Sequence, residues 1–123
     1  MRMRVLAVDD DSASLRLTEY LLRAFGHEMV ARSCAHDGLA EALRGAYDIV
    51  LIDICLPGFD GYEFVRHCKA AAALRFTPLI AVTAQAMVGD RDKALAAGFD
   101  EYITKPIEPS EFVAALEALC VPS

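Results

Sequence analysis

Five short apolar runs alternate along the chain with five stretches in which apolar residues recur at helical spacing. The first run, Arg4–Val8, predicts a strand and stops at three acids, Asp9-Asp10-Asp11. Ser12 is then read as the cap of a helix in which Leu15, Thr18, Leu22 and Phe25 share a face and Gly26 supplies the stop. Glu28–Ser33 predicts a weaker second strand. Asp37–Arg44 predicts a short helix with Leu39 and Leu43 on one side, ended by Gly45. Ile49–Asp53 is the most apolar run and predicts a third, buried strand. Past the turn at Pro57, Gly58 and Gly61, Tyr62–Ala73 lines up Phe64, Val65 and Cys68. Pro78–Val82 predicts a fourth strand, its proline at the start, where it does least harm to a ladder. An alanine-rich helix over Asp90–Ala97 ends at Gly98, a short strand follows at Glu101–Thr104, and Pro109–Leu119 carries Phe112, Val113, Leu116 and Leu119 along one stripe.

Strands alternating with helices predict an α/β fold, with a parallel sheet covered on both faces by right-handed crossovers. The expected strand order is 2-1-3-4-5, which sets the first and third strands side by side. At 123 residues the chain fits one domain, expected over 1–123 with its core at about 4–119 and no output domain. A hydrophobic share of 55% argues against disorder. The net charge of −6 and the lack of a Lys/Arg cluster disfavour direct nucleic-acid binding or attachment to an anionic membrane. The apolar stretch near the amino terminus stops at Asp9, too short for a signal-peptide core or a membrane span. Cys34, Cys55, Cys68 and Cys120 form no C-x-x-C pair and read as reduced thiols of a cytoplasmic protein. His27, His36 and His67 lack metal or triad spacing and are read as surface or boundary residues.

The chemistry gathers at strand ends. Parallel strands bring Asp9 and Asp10 from the first and Asp53 from the third to one carboxyl-terminal rim, where open α/β sheets bind ligands. Crowded carboxylates repel one another, and a hard divalent cation relieves that; an all-oxygen site with room for water suits Mg²⁺. The fourth strand adds Thr83 and the fifth Lys105. Three carboxylates, a hydroxyl and an ammonium are the parts of a phosphoryl-transfer site, with Asp53 as the nucleophile that becomes an acyl phosphate. Asp11 and Asp60 stand where helices begin, and capping is their expected work.

Together these pieces resemble the receiver domain of two-component response regulators. The matching residues are Val8-Asp9-Asp10, Asp53 with Leu56-Pro57-Gly58-Phe59-Asp60-Gly61, Val82-Thr83-Ala84, Lys105-Pro106, and the stretch Ala35–Leu43. The resemblance implies a flavodoxin-like doubly wound sheet and a phosphoacceptor role for Asp53. It implies Mg²⁺, or Mn²⁺ in its stead, held directly by Asp10, mostly through water by Asp9, and also by Asp53 and the backbone carbonyl of Cys55. Thr83 and Lys105 would contact the phosphoryl group. Tyr102 would be a switch aromatic that turns inward when Thr83 is drawn to the phosphate, and Lys105-Pro106 would be cis. Implied partners are a histidine kinase or histidine phosphotransfer protein and a downstream protein, or the other domains of a hybrid kinase if the chain is an excised piece. Cys55 and Gln85 occupy positions at which that family varies, leaving the lifetime of the phosphorylated state open.

Two rival readings use the same acids. A haloacid-dehalogenase-type phosphohydrolase needs an Asp-x-Asp after the first strand, which Asp9-Asp10-Asp11 fits loosely, but Ala13 stands where that motif has Thr or Val. A flavodoxin-like electron carrier needs a phosphate loop rich in Ser, Thr and Gly, whereas an acidic loop repels the FMN phosphate. The expected function is therefore a signalling module, not an enzyme beyond catalysing its own phosphorylation and dephosphorylation.

Overall fold

A computed structural model describes residues 2–58, 60–84 and 87–120. The elements are β1 Arg4–Val8, α1 Ser12–Ala24, β2 Glu28–Arg32, α2 Ala35–Ala42, β3 Ile49–Asp53, α3 Gly61–Ala70, a short 3₁₀ turn at Ala72–Leu74, β4 Leu79–Thr83, α4 Asp90–Ala97, β5 Glu101–Thr104 and α5 Pro109–Cys120. All four strand pairings are parallel, and the order is β2-β1-β3-β4-β5, as the alternation of elements predicts. No helix among the described residues is long and apolar enough to cross a membrane.

Successive strand residues point to opposite faces, so each run feeds two separate cores. Leu6, Val8, Val50, Ile52, Leu79 and Ala81 join Phe64, Val65, Cys68 and Ala94 of α3 and α4 on one face. Val5, Ala7, Ile49, Leu51, Ile80 and Val82 join Leu21, Leu22, Phe112, Val113 and Leu116 of α1 and α5 on the other. A side chain as fully buried as Phe64 or Leu22 contributes roughly 1.5–3 kcal/mol by leaving water. Gly38 lets α2 ride close over β1: a Cβ there would lie 2.6 Å from Val8 Cγ2, so a larger residue forces α2 or the Val8 side chain, next to Asp9, to shift.

Several expectations shift. Asp11, not Ser12, caps α1, because its carboxylate is the group that reaches the N–H of Ala13 and of Ser14. Phe25 falls at the end of α1 and is exposed, and Leu43 is exposed because α2 ends one residue before it. α2 begins two residues earlier than expected, and α3 ends at Ala70, with the predicted remainder partly in the 3₁₀ turn. The fourth strand runs from Leu79 to Thr83, its proline left just outside. His27 is the clearest correction, since its imidazole is fully buried. Nδ1 accepts the Met3 N–H at 2.9 Å, and Nε2 lies 2.7 Å from Glu117 Oε2, tying the residue before β1 to α5. The four cysteines are free thiols, as expected; burial raises the Cys68 thiol to about 12.

Candidate functional site at the carboxyl-terminal rim

Adjacent parallel strands β1 and β3 end level with one another, which brings their acids together. Val8 pairs with Ile52 in register, so Asp9 and Asp53 leave the sheet side by side, and both are buried. Asp9 still belongs to the ladder through its N–H, which donates to Arg32 O at 3.0 Å. Each carboxylate spends one oxygen on the loop that follows it. Asp9 Oδ1 accepts from Asp11 N–H at 2.9 Å, and Asp53 Oδ1 accepts from Cys55 N–H at 2.8 Å. Their other oxygens share one cation: Lys105 Nζ lies 2.6 Å from Asp9 Oδ2 and 3.2 Å from Asp53 Oδ2.

Asp10 is exposed, and one ligand oxygen from each of Asp9, Asp10 and Asp53 lies within 4.8 Å of the others. No other group of three or more acids, histidines or cysteines among the described residues meets that condition. Three carboxylates face one ammonium, so two negative charges stand unbalanced. Oxygen-only donors, two of them anchored and one open to solvent, fit a small hard divalent cation. Such an ion would neutralise the excess charge and polarise a phosphoryl oxygen.

Lys105 reaches this point from the end of β5, where its N–H donates to Thr83 O at 2.7 Å. Burial pulls its ammonium pKa down, but the hydrogen bond to Asp9 and the charges of Asp53 and Asp9 outweigh that, and the net direction is up. The Lys105-Pro106 bond is cis, as the resemblance implies. Thr83 is fully buried at the last position of β4, with Oγ1 3.0 Å from Cys55 Sγ.

Asp11 and Asp60 both cap helices. The Ser14 hydroxyl and N–H hold the Asp11 carboxyl below its usual range, and Asp60 Oδ1 accepts from Tyr62 N–H and Glu63 N–H. With Asp11 committed to α1, the Asp-x-Asp pair of a dehalogenase-type phosphohydrolase is not formed. Tyr102, expected to be a switch aromatic, is buried in this structure. Its ring belongs to the same core as Phe64, Val65 and Phe99, and its hydroxyl meets no hydrogen-bond partner among the described residues. Burial, with Asp90 and Cys55 nearby, pushes its phenol pKa up. Gln85 and Phe59 lie outside the described residues. The tie between Cys55 and Thr83 was not read from the sequence. The two residues are 28 positions apart, and only the pairing of β3 with β4 brings them together.

Comparison with known proteins agrees with this geometry. The model of the response regulator receiver domain family matches residues 5–117. The histidine-protein kinase BarA of Shigella flexneri is 39% identical over 111 residues, 88% of this chain and 12% of its own length. The response regulator PleD of Caulobacter vibrioides is 35% identical over 119 residues, 97% of this chain and 26% of its own length. This chain therefore spans only a small part of those relatives. The receiver domain of the sensor histidine kinase PA1611 from Pseudomonas aeruginosa, solved with magnesium in its active-site cleft, superposes with a TM-score of 0.86. It is 32% identical, and the match covers 98% of each chain. A five-stranded sheet in this order, an acid cluster at its switch point and a family match over almost the whole chain meet in one conclusion: the chain belongs to the response regulator receiver domains of two-component and phosphorelay signalling.

Proposed function

We propose that Asp53 accepts a phosphoryl group from a histidine kinase or histidine phosphotransfer protein, and that the acyl phosphate changes how the domain binds a downstream protein. The observation that carries this reading is the Lys105 ammonium bridging Asp9 and Asp53, which leaves Asp53 buried yet next to a cation able to pair with phosphoryl oxygens. Asp10, Asp53 and the Cys55 carbonyl would hold Mg²⁺ or Mn²⁺, with Asp9 supporting it mostly through water. When bound, the ion neutralises charge on the phosphoryl oxygens. Lys105 pairs with the phosphoryl group and Thr83 donates to it from the end of β4.

Thr83 and Tyr102 couple that event to the surface formed by α4, β5 and α5, since Tyr102 belongs to the strand paired with β4. The domain supplies the groups for its own phosphorylation and dephosphorylation and turns over no other substrate. It works as a single unit in the cytoplasm, in keeping with four free thiols, either alone or as one domain of a hybrid kinase or larger regulator. Direct nucleic-acid contact and membrane insertion form no part of this reading, given the acidic charge. The test is the intact mass after treatment with acetyl phosphate and Mg²⁺. The native chain gains one phosphoryl group and Asp53→Asn gains none; equal uptake by both overturns the assignment.

A further inference from the structure

β5 stands last in the strand order, with one edge paired to β4 and the other open. The Lys105 N–H donates to Thr83 O on the paired edge, and two-residue alternation turns the Tyr102 N–H and C=O toward the open one. Both groups are nonetheless occupied. Tyr102 N–H donates to Glu101 Oε1 at 2.9 Å, and Arg91 Nη1 donates to Tyr102 O at 3.4 Å. The two side chains also meet, with Arg91 Nη1 2.6 Å from Glu101 Oε1. A guanidinium nitrogen only donates and a carboxylate oxygen only accepts, so the direction of each bond is fixed. The three contacts close a ring around one residue and stand in for a neighbouring strand at an edge that would otherwise offer unpaired groups. Burial alone would raise the Glu101 carboxyl pKa, but the Tyr102 N–H and Arg91 outweigh it and hold the group below its ordinary value.

The pair is open to solvent, its side chains 55% and 31% exposed, so it adds little to the stability of the fold. What sets it apart is the elements it joins. Arg91 lies in the first turn of α4, whereas Glu101 and Tyr102 belong to β5. One helical turn on, Ala94 shares the buried core with the Tyr102 ring. α4 therefore meets Tyr102 twice, by packing on the ring and by a bond to the backbone. Apolar packing is non-directional and lets one surface slide over another. A hydrogen bond weakens steeply when its angle is lost, so the Tyr102 carbonyl cannot shift far unless α4 follows or the bond breaks. We propose that Arg91 and Glu101 are positioning residues that lock α4 to the Tyr102 backbone, so that a change at Tyr102 on phosphorylation carries α4 with it. The inference rests on the coupling of Thr83 and Tyr102 proposed above and deepens it by naming the tie through which α4 responds.

The experiment compares native, Arg91→Ala, Glu101→Ala and doubly substituted proteins in Mg²⁺ with and without beryllofluoride, taking the bound-minus-free amide-proton shifts of each. In the native chain both β5 and α4 should respond. Arg91→Ala should still bind beryllofluoride and keep the shifts around Asp53 and along β5, while those of α4 fall to about half or less, because the chain of contacts is cut between the two elements. Glu101→Ala should do the same, and the double substitution should do no more than either single change, since each breaks one shared unit. All four proteins should melt at similar temperatures, which separates the effect from a loss of folding. Full α4 shifts in Arg91→Ala overturn the proposal and assign the response to packing alone, and additive losses in the double substitution overturn the shared clamp. A native chain that takes up beryllofluoride with no shift at β5 or α4 overturns the coupling reading and this proposal with it. Native shifts at both elements that survive either substitution overturn this proposal only.

Discussion

The two ends of the sheet use the same residue types to opposite effect. At the amino-terminal edge each polar side chain takes one backbone donor. His27 Nδ1 accepts from Met3 N–H, Asp48 Oδ2 from Arg4 N–H at 2.8 Å, and Asp100 Oδ2 from Leu79 N–H at 2.8 Å. Those groups finish the ladder where the strands begin. At the carboxyl-terminal edge Asp9 and Asp53 also take one backbone N–H each, but then compete for a single ammonium while Asp10 adds a third charge. Acids dealt out one to a donor build the fold. Acids pooled around one cation work against it, and such pooling marks a functional site.

Substituting one acid at each end gives the sharpest test. Asp53→Asn should abolish phosphoryl uptake outright while melting no lower than the native chain, because it removes one member of a like-charged cluster. A clear loss of melting temperature would break the contrast. Next in size is the response to metal. A hundredfold excess of Mg²⁺ over its dissociation constant should stabilise the native domain by about 2.7 kcal/mol. Asp10→Ala should lose most of that gain. Asp11→Ala should keep it and lose only about 1 kcal/mol for the missing cap, as read from melts with and without Mg²⁺.

At the other end Asp100→Ala should cost about 1–2 kcal/mol in urea denaturation, since the buried strand residue Leu79 keeps an N–H without its acceptor. Its phosphoryl uptake should match that of the native chain, and a loss of uptake would mean that the two ends are not separate in function.

The smallest effect is in alkali. The folded-state pKa of Lys105 is raised above its ordinary 10.5, so its stabilisation is fully present below that value and is lost as pH rises through the raised value. The stability difference between native and Lys105→Met proteins should stay flat up to pH 10.5 and shrink above it. A difference that grew with pH would reverse the sign of the pairing.

Much of this was legible because strand endings are local. The sequence run Ile49–Asp53 predicts both a buried strand and the place where its carboxylate emerges, and β3 has those bounds. The same reasoning carried Thr83 and Lys105 to the rim with Asp9 and Asp10. Some illegible features depended on partners distant in sequence, others on where a helix begins or ends. His27 looked like a boundary residue because Met3 and Glu117, which bury it, lie 24 and 90 positions away. Ser12 was read as a cap because it directly follows the acids, but the capping expected of Asp11 is what the structure shows, since Asp11 has the backbone conformation and reach for it. Leu43 matched the helical period of α2 but fell past its end, where period no longer decides burial.

The buried Tyr102 hydroxyl has a consequence for populations. Packing seats the ring inward, while a buried hydroxyl that, like this one, has no partner among the described residues costs about 1–3 kcal/mol. Every 1.4 kcal/mol is a tenfold change in an equilibrium constant, so the missing bond takes roughly one to two powers of ten off the preference for the inward seat. An outward rotation would return the hydroxyl to water. Under the switch role proposed for Tyr102, a modest bias at the end of β4 would then suffice to change the share of molecules in each position. Phenylalanine in its place would rest inward and respond less.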